Sequence, residues 1–285
     1  MSLDKPASWD KTSADYTKMG IQGPILYPCK GMLAAMDTAS SFSSATSILD
    51  IGCGPGTAVT LLAEDYGTQI PADATLVATD FSQSMVDATL AKKRNIVAAG
   101  TDVANCWGRL EAQVMDAQDL SAVESGSVSH LMGSLVYFML PDASKGLLEA
   151  NRVLKEGGVF ACTSWGSTME WIQFSVEAAQ RVRPDKVGKF NAMPEAWRSS
   201  EGVKAQLAAA GFRDAHAEYV EFEWKLEDPV KNVEQMVKSS NPAAQAVVGS
   251  FTEEELDRCC EEYVKILAEH GNVCKGVAVL GVGRK

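Results

Sequence analysis

Apolar residues recur along this chain in two alternating rhythms. Short runs such as Ile48-Leu49-Asp50-Ile51 and Leu76-Val77-Ala78-Thr79 are apolar at nearly every position, as strands covered on both faces require. They alternate with longer stretches of helical period. The strands expected on this basis are 48–51, 75–79, 110–114, 129–134 and 158–164, with helices over 57–66, 83–98 and 143–154. Strands that alternate with helices predict an α/β fold, a parallel sheet covered by helices. After residue 165 the rhythm changes. A helix over 169–182 carries Trp171, Phe174 and Val176 and precedes Pro184 and Pro194; a further helix ends at Ala210, where Gly211 is a suitable stop. Residues 215–224 alternate polar and apolar, as an edge-region strand does, and a final strand spans 276–282. Between these two lie a helix near 229–239, a break at Asn241-Pro242, and a helix whose Thr252-Glu253-Glu254-Glu255 start is a capping box.

The first strand runs into Gly52-Cys53-Gly54-Pro55-Gly56, and a helix follows at once from Thr57. Glycines this dense remove Cβ atoms where a chain must reverse and where its backbone must touch a bound molecule, and a strand-to-helix junction presents free N–H groups. The second strand ends on Asp80, at the spacing where a nucleotide-binding α/β unit sets an acid on a ribose diol. Ser82 is placed to cap the next helix, and Met85 either lies on a flat adenine ring or belongs to the core.

Four separated segments carry a closer resemblance. They are Leu49-Asp50-Ile51-Gly52-Cys53-Gly54-Pro55-Gly56, Thr79-Asp80-Phe81-Ser82 with Met85, Met115-Asp116-Ala117, and Arg152-Val153-Leu154-Lys155-Glu156-Gly157-Gly158. In order and spacing they resemble the class I S-adenosylmethionine-dependent methyltransferases, and more closely the branch of the ubiquinone and menaquinone biosynthesis methyltransferases. The pattern departs before the fourth strand, where Val128-Ser129 stands in place of the usual aromatic-Asp pair.

The resemblance implies a Rossmann-like, seven-stranded, mostly parallel sheet with an antiparallel last strand, helices on both faces, and S-adenosyl-L-methionine as cofactor. Gly52, Gly54 and Gly56 would then pass the methionine and ribose portions, and Asp80 would hold the ribose. Asp116 with Ala117 would contact adenine, unless Asp116 is a loop acid or helix cap, and Asp50 would orient the turn or meet the amino-acid end. Trp9-Asp10 with Ala14-Asp15-Tyr16 is similar to an N-terminal helix that many relatives fold across the cofactor, although the gap from Ala to Tyr is one residue shorter. Tyr16 is thus a cofactor or substrate contact, or an aromatic anchor for the terminus. Ser134, Tyr137 and Phe138 follow the fourth strand and should face the transferred methyl; Trp165, Trp171 and Phe174 would extend an aromatic wall for the acceptor. Core packing explains Phe138 and Phe174 equally well.

On this reading, residues 1–285 form one domain: N-terminal cap helices in 1–47, a cofactor-binding core in 48–165, remaining core in 166–227 and 273–285, and an inserted helical lid, or a dimerisation or packing insert, in 228–272. Composition narrows the partners. With 26 Lys plus Arg against 37 Asp plus Glu the net charge is −11, and the short Lys92-Lys93-Arg94 is the one basic cluster, so nucleic acid is not an expected partner. No apolar run approaches a spanning helix and the first residues are polar, so the expectation is a cytoplasmic enzyme without membrane insertion. The seven cysteines form no Cys-x-x-Cys pair, which argues against a zinc site or a disulfide framework.

Methyl transfer from a sulfonium is an in-line displacement that calls for alignment and exclusion of water. The sequence names no catalytic residue: His130 begins a buried strand, and His216 and His270 fall in late segments. The expected function is methylation of a small organic metabolite on O, N, S or C, in specialised metabolism, with thiols as one acceptor class. The competing expectations are a regulatory or scaffold protein that keeps the cofactor site without turnover, and a nicotinamide oxidoreductase, against which the Met-Asp-Ala and Leu-Lys-Glu-Gly-Gly segments argue.

Overall fold

The computed structural model describes residues 6–19, 23–189 and 194–285. Seven strands form one sheet: β1 (Ser47–Ile51), β2 (Thr75–Asp80), β3 (Leu110–Val114), β4 (Val128–Ser134), β5 (Leu154–Met169), β6 (Arg213–Lys225) and β7 (Val273–Arg284), in the order β3-β2-β1-β4-β5-β7-β6. The first five pair in parallel; β7 runs antiparallel to both β5 and β6. The order reverses between β1 and β4, so the carboxyl ends of those two strands border the crevice where an open α/β sheet takes its ligand.

Alternation along the strands separates the two faces. Ile48, Val159 and Ala161 join one apolar cluster, while Leu49, Phe160 and Cys162 join the other, as the two-residue period requires. On the first face lie α2 (Leu26–Ala39), α3 (Thr57–Tyr66), α4 (Gln83–Ala99) and α5 (Ala104–Arg109); on the second, α6 (Ala143–Val153) and α8 (Ser200–Ala209). Before them, α1 (Pro6–Met19) leans on α4.

A third cluster joins α7 (Glu170–Val182) to the three helices between β6 and β7: α9 (Pro229–Val237), α10 (Pro242–Val248) and α11 (Glu253–Glu269). The helix starts read from sequence are present: Ser82 Oγ accepts from the Met85 N–H at 3.3 Å, and Thr252 with Glu255 closes a capping box. Gly211, at φ 87°, follows α8 in the left-handed conformation. The insert is not uniform. Helices α9 and α10 reach the cavity described below, whereas α11 is a packing helix whose Tyr263 donates to the Trp171 carbonyl at 2.6 Å. Helix α5 is not expected from the sequence, because it is six residues long, too short to show a period.

Candidate active site

The β1–α3 loop is held open by its own backbone. The Cys53 N–H donates to the Thr79 carbonyl, the Gly56 N–H to the Cys53 carbonyl, and Thr89 Oγ1 to the Gly54 carbonyl at 2.8 Å. Gly52, Gly54 and Gly56 all have positive φ, a region that costs an L side chain energy. They differ in what surrounds them. A Cβ on Gly52 would meet Val136 Cγ2 at 2.4 Å, one on Gly54 would meet no atom within 4 Å, and one on Gly56 would press on Thr89 and Trp107 at 3.2 Å. Gly54 thus presents bare backbone to an open space, and Gly56 serves the turn and the start of α3 from outside the cavity wall, contrary to the contact expected of it.

That space is a cavity of about 860 Å³ at the carboxyl ends of the strands. Asp80 stands on one side with both oxygens engaged: Oδ2 accepts from the Gly54 N–H and Oδ1 from the Ser82 N–H, each at 2.9 Å. Burial nonetheless pushes its carboxyl above the usual range, against the opposing effect of those donors. Asp50 is 1% exposed, lines the cavity, and its Oδ2 has no partner among the described residues. Burial, and then the charge of Asp80, raise this carboxyl far above its ordinary value. A buried acid left with a free oxygen beside an open space is set for a cationic ligand group. Met85, Asp116 and Ala117 lie along the same wall; the Asp116 carboxylate is turned by the Gln118 N–H at 2.8 Å.

Leu135, just past β4, has φ 60°, unusual for a bulky residue, and two Thr163 acceptors hold its N–H in place. Ser134 beside it lines the cavity and meets Thr163 Oγ1 at 3.2 Å. Beyond Ser134 the wall turns aromatic: Phe138, Trp165 and Trp171 line it, and the two tryptophans meet edge to face at 5.0 Å. Trp9, from the N-terminal helix pattern, lines it too, as do Trp224 and Cys29, which no local pattern in the sequence marks as site residues.

Two expected site residues, Tyr137 at the methyl and Phe174 in the wall, are elsewhere. Tyr137 is fully buried against Phe160 and Trp197, in a slot hollowed by Gly133 and Gly146, whose Cβ atoms would lie 2.6 and 3.4 Å from its ring. Phe174 points from α7 toward α11, with its ring 4.6 Å from that of His270. None of the three histidines lines the cavity. His130 is satisfied by Ser129 and the Ser40 carbonyl, both at 2.9 Å, and burial lowers its pKa.

Helix α1 closes the cavity from outside and ties its two ends together. Asp10 Oδ1 accepts from Ser82 Oγ at 2.6 Å and from the Ser84 N–H at 3.3 Å, which fastens α1 to the start of α4. At its other end Asp15 accepts from Ser240 Oγ at 2.6 Å, and Asn241 Nδ2 donates to the Tyr16 hydroxyl at 3.1 Å. Tyr16 lines the cavity, and burial raises its phenol to about 12. Burial likewise raises the Cys29 and Cys53 thiols. At neutral pH these three groups therefore keep their protons, and none is poised as a general base.

The comparisons agree with this geometry. Residues 49–162 match a family described as "Methyltransferase domain". The chain is 29% identical to methyltransferase ucsB of Acremonium sp, over 99% of this chain and 96% of that one. It is 27% identical to methyltransferase tpcH of Aspergillus fumigatus, over 97% of each. Among solved structures it superposes on a Haemonchus contortus phosphoethanolamine N-methyltransferase in complex with S-adenosylhomocysteine, with a TM-score of 0.51 and 16% identity, over 90% of this chain and 52% of that chain. The orphaned Asp50 carboxylate, the open space at Gly54 and the acid at the end of β2 fit the ammonium, the bulk and the ribose diol of one cofactor. Strand order, glycine loop and relatives together support a class I S-adenosylmethionine-dependent methyltransferase with S-adenosyl-L-methionine as its cofactor.

Proposed function

We propose that this enzyme methylates a small, largely apolar organic acceptor in specialised metabolism, and that catalysis rests on alignment and exclusion of water. The observation that carries the reading is the continuity of one cavity, from the glycine loop to a wall of Phe138, Trp165, Trp171 and Trp224 under α9 and α10. An aromatic-walled, capped pocket of this size suits a compact metabolite.

The bound cofactor supplies an electrophilic methyl group on sulfur. Around it, Asp80 receives the ribose hydroxyls, with Gly52 and Gly54 giving backbone contact. Asp50 takes the ammonium, and the free N–H groups at the start of α3, at Thr57 and Ala58, take the methionine carboxylate. Met85, Asp116 and Ala117 hold the adenine. Ser134 borders the point of transfer, with the aromatic wall holding the acceptor in line. Tyr16 keeps its proton and so can donate to the acceptor but does not deprotonate it. The acceptor's own acidity then governs reactivity, which favours thiols, acidic phenols and stabilised carbanions over simple alcohols. Helices α9 and α10 act as the lid of this pocket, and the enzyme works in the cytoplasm on small molecules rather than nucleic acid.

The test is a mass screen of phenols, thiols, amines and carbon acids with purified enzyme and S-adenosylmethionine. A gain of one methylene on one acceptor class supports the reading. Calorimetric binding of the cofactor with no methylated product across all four classes refutes it and favours a scaffold role.

A further inference from the structure

Most polar side chains around the cavity are already occupied. Asp80 accepts two backbone N–H groups, Asn241 is shared between Tyr16 and the Ala243 N–H, and Gln245 donates to the Ser239 carbonyl at 2.9 Å. Besides Asp50 on the cofactor side, three amide or ammonium groups are unoccupied. Asn232, Gln235 and Lys189 line the cavity, yet among the described residues their side chains take part in no hydrogen bond or ion pair. Amides and an ammonium that line a largely apolar pocket without partners are set for a ligand that supplies acceptors.

Their placement is built into the fold. Asn232 and Gln235 are three residues apart on α9, hence on one face, the face that also carries Met236 to the cavity. Lys189 leaves a segment pinned to α10: the Gly188 N–H donates to the Val247 carbonyl at 2.9 Å, and a Cβ on Gly188 would lie 1.9 Å from the Ala246 carbonyl oxygen. No other residue than glycine fits so close an approach, and it sets the lysine at the exposed mouth of the pocket, on the insert side. Lys189 is the one cation among the described lining residues; the anions there, Asp50, Asp80 and Asp116, all stand on the cofactor side.

Resting on the reading above, we propose that the acceptor is an aryl carboxylate, whose ring lies on the tryptophan wall and whose carboxylate is received by Lys189 with Asn232 and Gln235. Three donors suit a carboxylate, which has two oxygens and about four lone-pair sites, better than a single phenolate oxygen. A local cation is also what an anion needs to enter a pocket on a chain of net charge −11.

The test is calorimetric titration of the S-adenosylhomocysteine-loaded enzyme with 2-naphthoate and with its neutral isostere 2-naphthamide. The wild type should bind naphthoate about tenfold more tightly, a difference of about 1.4 kcal/mol. Lys189→Met should abolish that preference with naphthamide affinity unchanged, and Lys189→Arg should keep it. Equal affinity for the two probes, no binding of either, or a preference that survives in Lys189→Met would overturn the proposal. Failure of S-adenosylhomocysteine itself to bind would instead count against the cofactor assignment, so the two failures are distinguishable.

Discussion

Two glycines two residues apart should respond to the same substitution differently, one chiefly in stability and the other chiefly in binding. Alanine at Gly52, at φ 63°, incurs the left-handed penalty of about 1–2 kcal/mol. Its methyl would also stand 2.4 Å from Val136 Cγ2, 3.0 Å from Cγ1 and 3.3 Å from Cβ, so no rotation of that branched side chain makes room. Overpacking of this kind adds about 1–3 kcal/mol, for a total of about 2–5 kcal/mol, a large share of the usual stability of a domain. Alanine at Gly54, at φ 53°, meets no atom within 4 Å and should lose about 1–2 kcal/mol from the backbone alone. Its methyl projects into the cofactor space, however, so binding should collapse while the fold survives. Urea denaturation gives the stabilities and titration with S-adenosylhomocysteine gives the affinities. Adding Val136→Ala to Gly52→Ala should return the overpacking part, seen as a coupling of about 1–3 kcal/mol in the double-mutant cycle. Additive effects, or a Gly54→Ala protein that binds cofactor normally, would refute this account of the loop.

Other substitutions separate site from support. Asp50→Asn should weaken cofactor binding at least about tenfold, about 1.4 kcal/mol, without lowering the stability of the free enzyme, because it replaces a buried acid whose Oδ2 has no partner among the described residues; a large loss in denaturant resistance would make Asp50 structural. Tyr137→Phe should leave turnover intact and hold or raise stability by up to about 1–3 kcal/mol, since its buried hydroxyl has no partner among the described residues; slower turnover would return Tyr137 to the acceptor site. Asp10 has its carboxyl lowered by the Ser82 hydroxyl above all, and by Ser84, against opposing burial. With a folded value below the free one, its hold on α1 is complete above the ordinary aspartate pKa of about 3.9 and fades as pH falls through the folded value. Amide protection factors in residues 6–19, which take out the intrinsic slowing of exchange in acid, should therefore fall on acidification, and Asp10→Ala should show that lower protection already at neutral pH. Exchange that ignores both changes would detach α1 from that contact.

How far the sequence can be read follows from how local each feature is. The glycine-loop side of the cavity is written in short contiguous stretches: a strand end, a glycine turn and an acid at the end of the next strand fix their own geometry, so the placement of Gly52, Gly54 and Asp80 on one cavity wall is legible in the residues alone. Gly56 escapes that reading because the atoms that crowd it, from Thr89 and Trp107, arrive from α4 and α5. Tyr137 escapes it for the same reason: its position after β4 suggests the methyl site, but the hollow that takes its ring is made jointly by Gly133 on β4 and Gly146 on α6. Trp165 and Trp171 reach the wall, yet Phe174, one turn along α7 from Trp171, is drawn away by Tyr263 and His270 of the insert.

The acceptor half carries no such local signature. Lys189 sits in a stretch without period, held by a glycine whose need is visible only once Ala246 is beside it. Asn232 and Gln235 look like the solvated face of α9 until the helix is laid over the cavity. The physical consequence is a division of labour. A one-residue shift in the register of α9 would turn its face by about 100° and replace both amides with other side chains, yet touch nothing that holds the cofactor. In the proposed site the sheet and its loops would hold the methyl donor, while the insert, anchored by α11 and strapped by α1, would set the acceptor independently.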